Sequence, residues 1–277
     1  MKRHVLIRPM LILLALGAPW AMGQNDVVDR LSVPFSNPNQ PGLMEVGLVN
    51  GSISVTGYDG TEVIVEARTR MRKISSGESE KVQGMIRIPV TTTGLTVEED
   101  NNVMEIETES WKRTIDLDIR VPINTSLNLS TVNHGDIHVQ NVRGEIDVNN
   151  INGKVTLLDI SGAVVAHALN KDLIVTMDNV FPDKAMSFST LNGDIDVVFP
   201  ANLKANVNLK ADNGDIYSDF EIQLSREPKK VVEENTRSTG GKYKVRVEQS
   251  IHGTINGGGP EILFKSFQGD IFIRKEK

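Results

Sequence analysis

Three groups of side chains in this sequence are spaced for chemistry. The sharpest is His134-Gly-Asp136-Ile-His138. On an extended strand, residues i, i+2 and i+4 share a face. Two imidazoles and a carboxylate would then project together, a set that zinc accepts. Against this, His134 falls in a turn, and the neighbouring repeats offer no fourth ligand at the matching position. The expectation is no bound metal, with His134, Asp136 and His138 as the candidate ligands.

The second group is Asp136, Asp194, Asp215 and Asp270, each directly after a glycine. Calcium-binding nonapeptide rolls place their acid two residues after a glycine, in a glycine-denser repeat. The same slot here also holds Lys154 and Ala163, and a lysine repels a cation, so turn-capping is the expected role. Paired carboxylates also cut glycosidic bonds, but such enzymes need a cleft with aromatic walls. Aromatic residues make up only 5% of this chain. The third group, Trp111-Lys112-Arg113, is the candidate binding cluster, because an exposed tryptophan makes a good hot spot. A tryptophan covering the end of a repeat stack is the structural alternative. There is no phosphate loop, nucleophile elbow or dinucleotide fingerprint. No catalytic residue, cofactor or enzymatic activity is expected.

The elements that position these residues form an internal repeat. Glycines fall at 135, 144, 153 and 162, with Lys171 in the next slot. The second and fourth residues after each are apolar: Ile137 and Val139, Ile146 and Val148, Val155 and Leu157, Val164 and Ala166, Leu173 and Val175. Another apolar residue sits two before most of these slots: Val142, Ile151, Ile160 and Leu169. Alternation broken by glycine turns reads as short strands with tight corners. A four-residue strand with one apolar face cannot stand alone, and stacking buries those faces into one core. Two nine-residue units per circuit give about 18 residues, close to the ~20-residue lower end of known repeats. The fold expected is all-β, a single-stranded β-solenoid with Asn-Gly and Gly-Asp turns and an N-terminal β cap. A short polar helix is expected at Ser76–Met85, and a loop or exposed hairpin at Ser225–Gly241.

Residues 1–23 have the layout of a secretory signal: Lys2, Arg3 and Arg8, an apolar run at 10–18, then Ala21-Met22-Gly23. The domain division expected is a signal at 1–23 and one adhesin-like solenoid at 24–277. Without the signal, 27 Lys+Arg face 36 Asp+Glu, a net charge of −9. That balance argues against nucleic acid or anionic lipid as a partner. Cysteine is absent, which removes disulfides, thiolate metal sites and a lipid attachment point. No later segment is long enough to insert in a membrane.

Several phrases coincide in order: Val121-Pro122, Leu127-Asn-Leu-Ser-Thr-Val-Asn-His-Gly-Asp-Ile137, Val142-Arg-Gly144, Asn192-Gly-Asp-Ile195, Val198-Phe-Pro200, Ile255-Asn-Gly-Gly-Gly259 and Gly269-Asp-Ile271. Over roughly residues 43–275 the chain resembles the bacterial putative-adhesin family of unknown-function β-solenoid domains, related to autotransporter-adhesin head domains. His134 splits the usual Asn-Gly pair, and Lys171 takes a glycine slot. The resemblance implies an exported protein of the periplasm or cell surface that binds an envelope protein or an extracellular ligand. Adhesion is the leading expectation. A periplasmic structural or regulatory role is the alternative, and a polysaccharide-acting enzyme is the third.

Overall fold

A computed structural model describes residues 28–70, 92–109, 111–225, 231–235, 243–247 and 250–277. The expected signal and the expected helix at Ser76–Met85 lie outside the described residues. The first strands are β1 (Val28–Pro34), β2 (Leu43–Asn50), β3 (Ile53–Tyr58), β4 (Glu62–Thr69), β5 (Leu95–Asp100), β6 (Val103–Thr108) and β7 (Ile115–Pro122). The repeat region holds β8 (Ser126–Asn133), β9 (Ile137–Gln140), β10 (Arg143–Asn150), β11 (Val155–Ala168), β12 (Leu173–Val180), β13 (Met186–Asn192) and β14 (Ile195–Phe199). The C-terminal part adds β15 (Ala205–Asn213), β16 (Ile216–Ser218), β17 (Ile222–Leu224), β18 (Val231–Asn235), β19 (Tyr243–Val247), β20 (Ile251–Ile255), β21 (Glu261–Gln268) and β22 (Ile271–Lys275). The described residues are all-β.

Twenty of these strands join one hydrogen-bonded network with two faces. A rung of the stack is one strand from each face, joined at an Asn-Gly corner. Rungs lie parallel and in register. Ile137 pairs Val155, which pairs Leu173, steps of 18 residues. On the other face Leu127 pairs Ile146, a step of 19. The extra residue is His134, which splits the Asn-Gly pair and takes a left-handed turn conformation, φ 61°.

Alternation decides what is inside. Every apolar pair named in the repeat is buried, from Ile137 and Val139 through Leu173 and Val175. Thr156, between buried Val155 and Leu157, points outward. At the far end the core is filled by three buried rings. Phe188 stacks on Phe264 at 5.2 Å, and Phe199 meets both edge-on. Neighbouring apolar rows across parallel strands give a continuous interior, each fully buried Val, Leu, Ile or Phe contributing about 1.5–3 kcal/mol.

One uninterrupted winding is not what the chain does. Along one face the order is β6, β2, β8, β10, the second half of β11, β13, β21, β15 and β20. Thus the last rung, β21 with β22, slots between two earlier ones. Antiparallel pairings occur at both ends: β4 with β7 and β1, β5 with β6, and β20 with β15 and β17. The physical reason is that the end rungs of a parallel stack have unpaired edges that must be occupied. β18, inside Ser225–Gly241, pairs antiparallel with β19 just beyond it, so of the two expected forms the described residues take the hairpin, which extends past the expected boundary.

Candidate functional site

The corner between the two faces is built from four columns, each running from rung to rung. Innermost are buried polar residues. Thr131 donates to the Gly51 carbonyl at 2.9 Å, Asn150 to Gly135 at 3.2 Å, and Thr190 to Lys171 at 3.3 Å. These bonds satisfy corner carbonyls that the sheets leave over, as burial requires. The glycine column follows. A Cβ on Gly153 would lie 1.9 Å from the Gly135 carbonyl oxygen, so at this rung only glycine lets the corners nest.

The third column is an amide ladder: Asn50, Asn133, Asn152, Asn170, Asn192, Gln268 and Asn213. Asn152 donates to Asn133 at 2.8 Å, Asn170 to Asn152 at 2.9 Å, and Asn192 to Asn170 at 2.9 Å. The fourth is the acid column. Asp136 accepts the backbone N–H of Lys154 at 2.8 Å, Asp172 that of Asp194 at 3.2 Å, and Asp270 that of Asp215 at 2.8 Å. Asp136, Asp172 and Asp270 therefore each cap the next rung, as Asp194 does for Asp270. At the N-terminal end Asp116 accepts from Ser52 and is gripped by the Arg70 guanidinium. Burial raises the Asp116 pKa, but the Arg70 and Ser52 hydrogen bonds outweigh it and hold the carboxyl below its ordinary value.

The histidine group does not converge. His134 lies before β9 in the turn, its Nδ1 3.0 Å from Asn50 Oδ1. Asp136 is engaged lengthwise by Lys154, and His138 sits half-buried on a strand between Ser54 and Thr156. The i, i+2, i+4 rule needs one continuous strand, and the left-handed turn at His134 breaks it. Among the described residues, no group of three or more His, Asp or Glu is placed to hold a metal.

Trp111 is 66% exposed, with the Lys112 ammonium 4.7 Å over its ring. Its carbonyl accepts from Asn50 at 2.8 Å, which ties it to the first rung of the amide ladder. Arg113 donates to the Thr92 carbonyl.

Beside the amide ladder runs a feature that the sequence pattern did not separate from Val142 and Ile160. Val49, Val132, Ile151, Leu169, Leu191 and Phe267 occupy consecutive rungs one position before the amides. All point outward: Val49 is 47% exposed, Leu191 39% and Phe267 44%, and the other three are half-buried. At about 4.8 Å per strand the stripe is about 24 Å long. Ile151 and Leu169 share their place in the nine-residue repeat with Val142 and Ile160, yet those two are fully buried. The difference lies in the opposite corner. There Asn141 and Asp159 take positive φ, 57° and 56°, which resets the alternation and turns the next residue inward. The asparagine and aspartate one position before Val142 and Ile160 were the available signal, since both tolerate that conformation.

No family model matches the chain, and no curated protein matches it. Among solved structures the chain is similar to a "putative cell adhesion protein" from Clostridium sporogenes. The identity is 9%, the TM-score 0.42, and the match covers 90% of this chain and 100% of that one. It is also similar to a "putative adhesin" from Bacteroides fragilis, with 11% identity, TM-score 0.31, and 90% and 97% covered. At such distances no residue role passes from either protein to this one. No helix among the described residues is long and apolar enough to cross a membrane.

Proposed function

We propose that this chain is an exported, non-enzymatic binding protein of the cell envelope, a β-solenoid whose Asn-Gly corner is its contact edge. The observation that supports it is the outward apolar stripe from Val49 to Phe267, with exposed Trp111 tied to the first rung of the adjoining ladder. Contiguous exposed apolar surface rimmed by polar residues marks interaction sites. Large aromatics near the ends of such a patch supply anchoring area. The ladders hold the stripe rigid, so a partner meets a surface already ordered and little entropy is lost on binding. The antiparallel strands before residue 122 act as the cap of the solenoid. The corner acids Asp136, Asp172, Asp194 and Asp270 are committed to backbone N–H groups along the stack, which favours a structural role for them over a hydrolytic one.

Protease treatment of intact cells, with opened cells as control, separates adhesion from service to a periplasmic partner. Cleavage on intact cells places the chain on the surface; protection until the outer barrier opens removes adhesion. The contact edge is tested by coating beads with the full chain and with a Leu191→Asp, Phe267→Asp variant. Wild-type beads should be retained on collagen, fibronectin or an epithelial monolayer, and variant beads should wash off. Equal retention of the two, with both folded by circular dichroism, rules out the stripe as the edge.

A further inference from the structure

The far end of the second face carries a different arrangement. There Ile174, Asp196, Phe272 and Tyr217 stand in one outward row on successive strands. Tyr217 stacks on Phe272 with centroids 5.2 Å apart and planes 10° from parallel. β16 pairs with β22 on one side, and on its other side no described strand follows. One face of the Tyr217 ring is therefore taken by Phe272, and the residue is still 50% exposed.

The same row shows what a stacked ring can hold. The Arg274 guanidinium lies 5.0 Å from the Phe272 centroid, and its Nε donates to Asp196 at 2.7 Å. A guanidinium is thus bound between an aromatic face and a carboxylate within the chain. The acid column repeats the lesson at its N-terminal end, where Arg70 grips Asp116. At its C-terminal end the column stops at Asp215. Among the described residues no further rung donates an N–H to this carboxylate and no cation pairs with it. It lies two residues before Tyr217, and its charge is the main reason that this phenol is pushed above its ordinary pKa.

We propose that Tyr217 and Asp215 form a receptor for the guanidinium of an arginine in a basic segment of a partner protein. The guest stacks on the free face of Tyr217 and pairs with Asp215, extending the Arg274–Phe272–Tyr217 stack by one member. Arginine is selected over lysine because its planar fork can stack and bond two oxygens together, whereas an ammonium is a compact, strongly hydrated charge. The net negative charge of the chain draws a basic segment in. This site lies on a different face from the apolar stripe and does not depend on it.

The test is fluorescence anisotropy of labelled (Arg-Gly)4 and (Lys-Gly)4 peptides with the full chain at low salt. The arginine peptide should bind saturably, several-fold tighter than the lysine peptide, and weaken as salt rises. Tyr217→Ala and Asp215→Asn should each weaken it about tenfold, the size of one such desolvated contact. Tyr217→Trp should retain binding, and Asp172→Asn, within the column, should leave it unchanged. Thermal melts establish that each variant is folded. Absence of saturable binding overturns the proposal, as does equal binding of both peptides that ignores Tyr217→Ala. Binding of cellotetraose through Tyr217 without binding of the arginine peptide also overturns it, assigning the ring to a neutral sugar.

Discussion

The carboxylate of Asp194 accepts the backbone N–H of Asp270 at 2.8 Å across 76 positions of the chain. Asp270 in turn caps Asp215, so the last rung of the sequence is an interior rung of the stack. Strands β14 and β16 have no direct pairing and are joined only by β22. The C-terminal residues are therefore a wedge that completes the core rather than a tail.

Removing this wedge should be costly. A chain ending at Pro260 exposes Phe188 and Phe199 and leaves four strand edges, those of β13, β15, β14 and β16, without the partner they have in the full chain. Urea unfolding should lose its single cooperative transition, with amide protection surviving only toward the N-terminal rungs. Within the intact chain, Phe264→Ala should destabilise by about 3–5 kcal/mol, the usual cost of emptying a buried ring site. A truncated chain that melts cooperatively at the wild-type temperature contradicts the assignment.

Ile151 and Ile160 occupy the same place in the nine-residue repeat but opposite sides of the sheet. Ile160→Ala should cost about 2–5 kcal/mol as a core truncation, while Ile151→Ala should cost less than about 1 kcal/mol. The same contrast holds for charge: Val155→Asp should unfold the chain at temperatures where Thr156→Asp leaves it intact. Equal costs, measured by chemical denaturation, would refute the two-sided corner geometry.

The glycine column makes a steric prediction. Gly153→Ala drives a methyl into the Gly135 carbonyl and should lower stability by about 1–3 kcal/mol. Lys171→Gly, at the slot where the column already tolerates a side chain, should change stability by no more than about 1 kcal/mol. Thermal melts of the two single variants decide it.

Asp116 gives an acid dependence whose sign follows from linkage. Its folded-state pKa is depressed below the ordinary 3.8, so its contribution is present above the unfolded value. It is lost as the pH falls through the lower folded value. Wild type should therefore lose stability relative to Asp116→Asn as the pH drops below about 4. At pH 7 the variant should be the less stable of the two, since Arg70 loses its partner. A stability difference that stays flat from pH 7 to pH 2.5 would exclude this role.

The sequence by itself determined the all-β class, the parallel circuit of about 18 residues and the inward set from Ile137 to Val175. It did so because period-two alternation and glycine corners are local, and a one-residue slip would expose every apolar side chain. It also pointed to turn-capping for the acids after glycine, since Lys154 shares their slot, and three of the four do cap a backbone N–H. The tertiary structure alone decided three things. It placed Ile151 and Leu169 outside, because Asn141 and Asp159 only permit a positive φ and it is the packed corner that imposes it there. It separated His134 from His138, because a single inserted residue breaks the strand on which they would share a face. It set β21 and β22 between earlier rungs and brought Tyr217 onto Phe272, pairings between distant segments that no local pattern encodes. Local chemistry chooses strands and corners; the order in which rungs stack is a competition among edges, settled only when the whole chain is present.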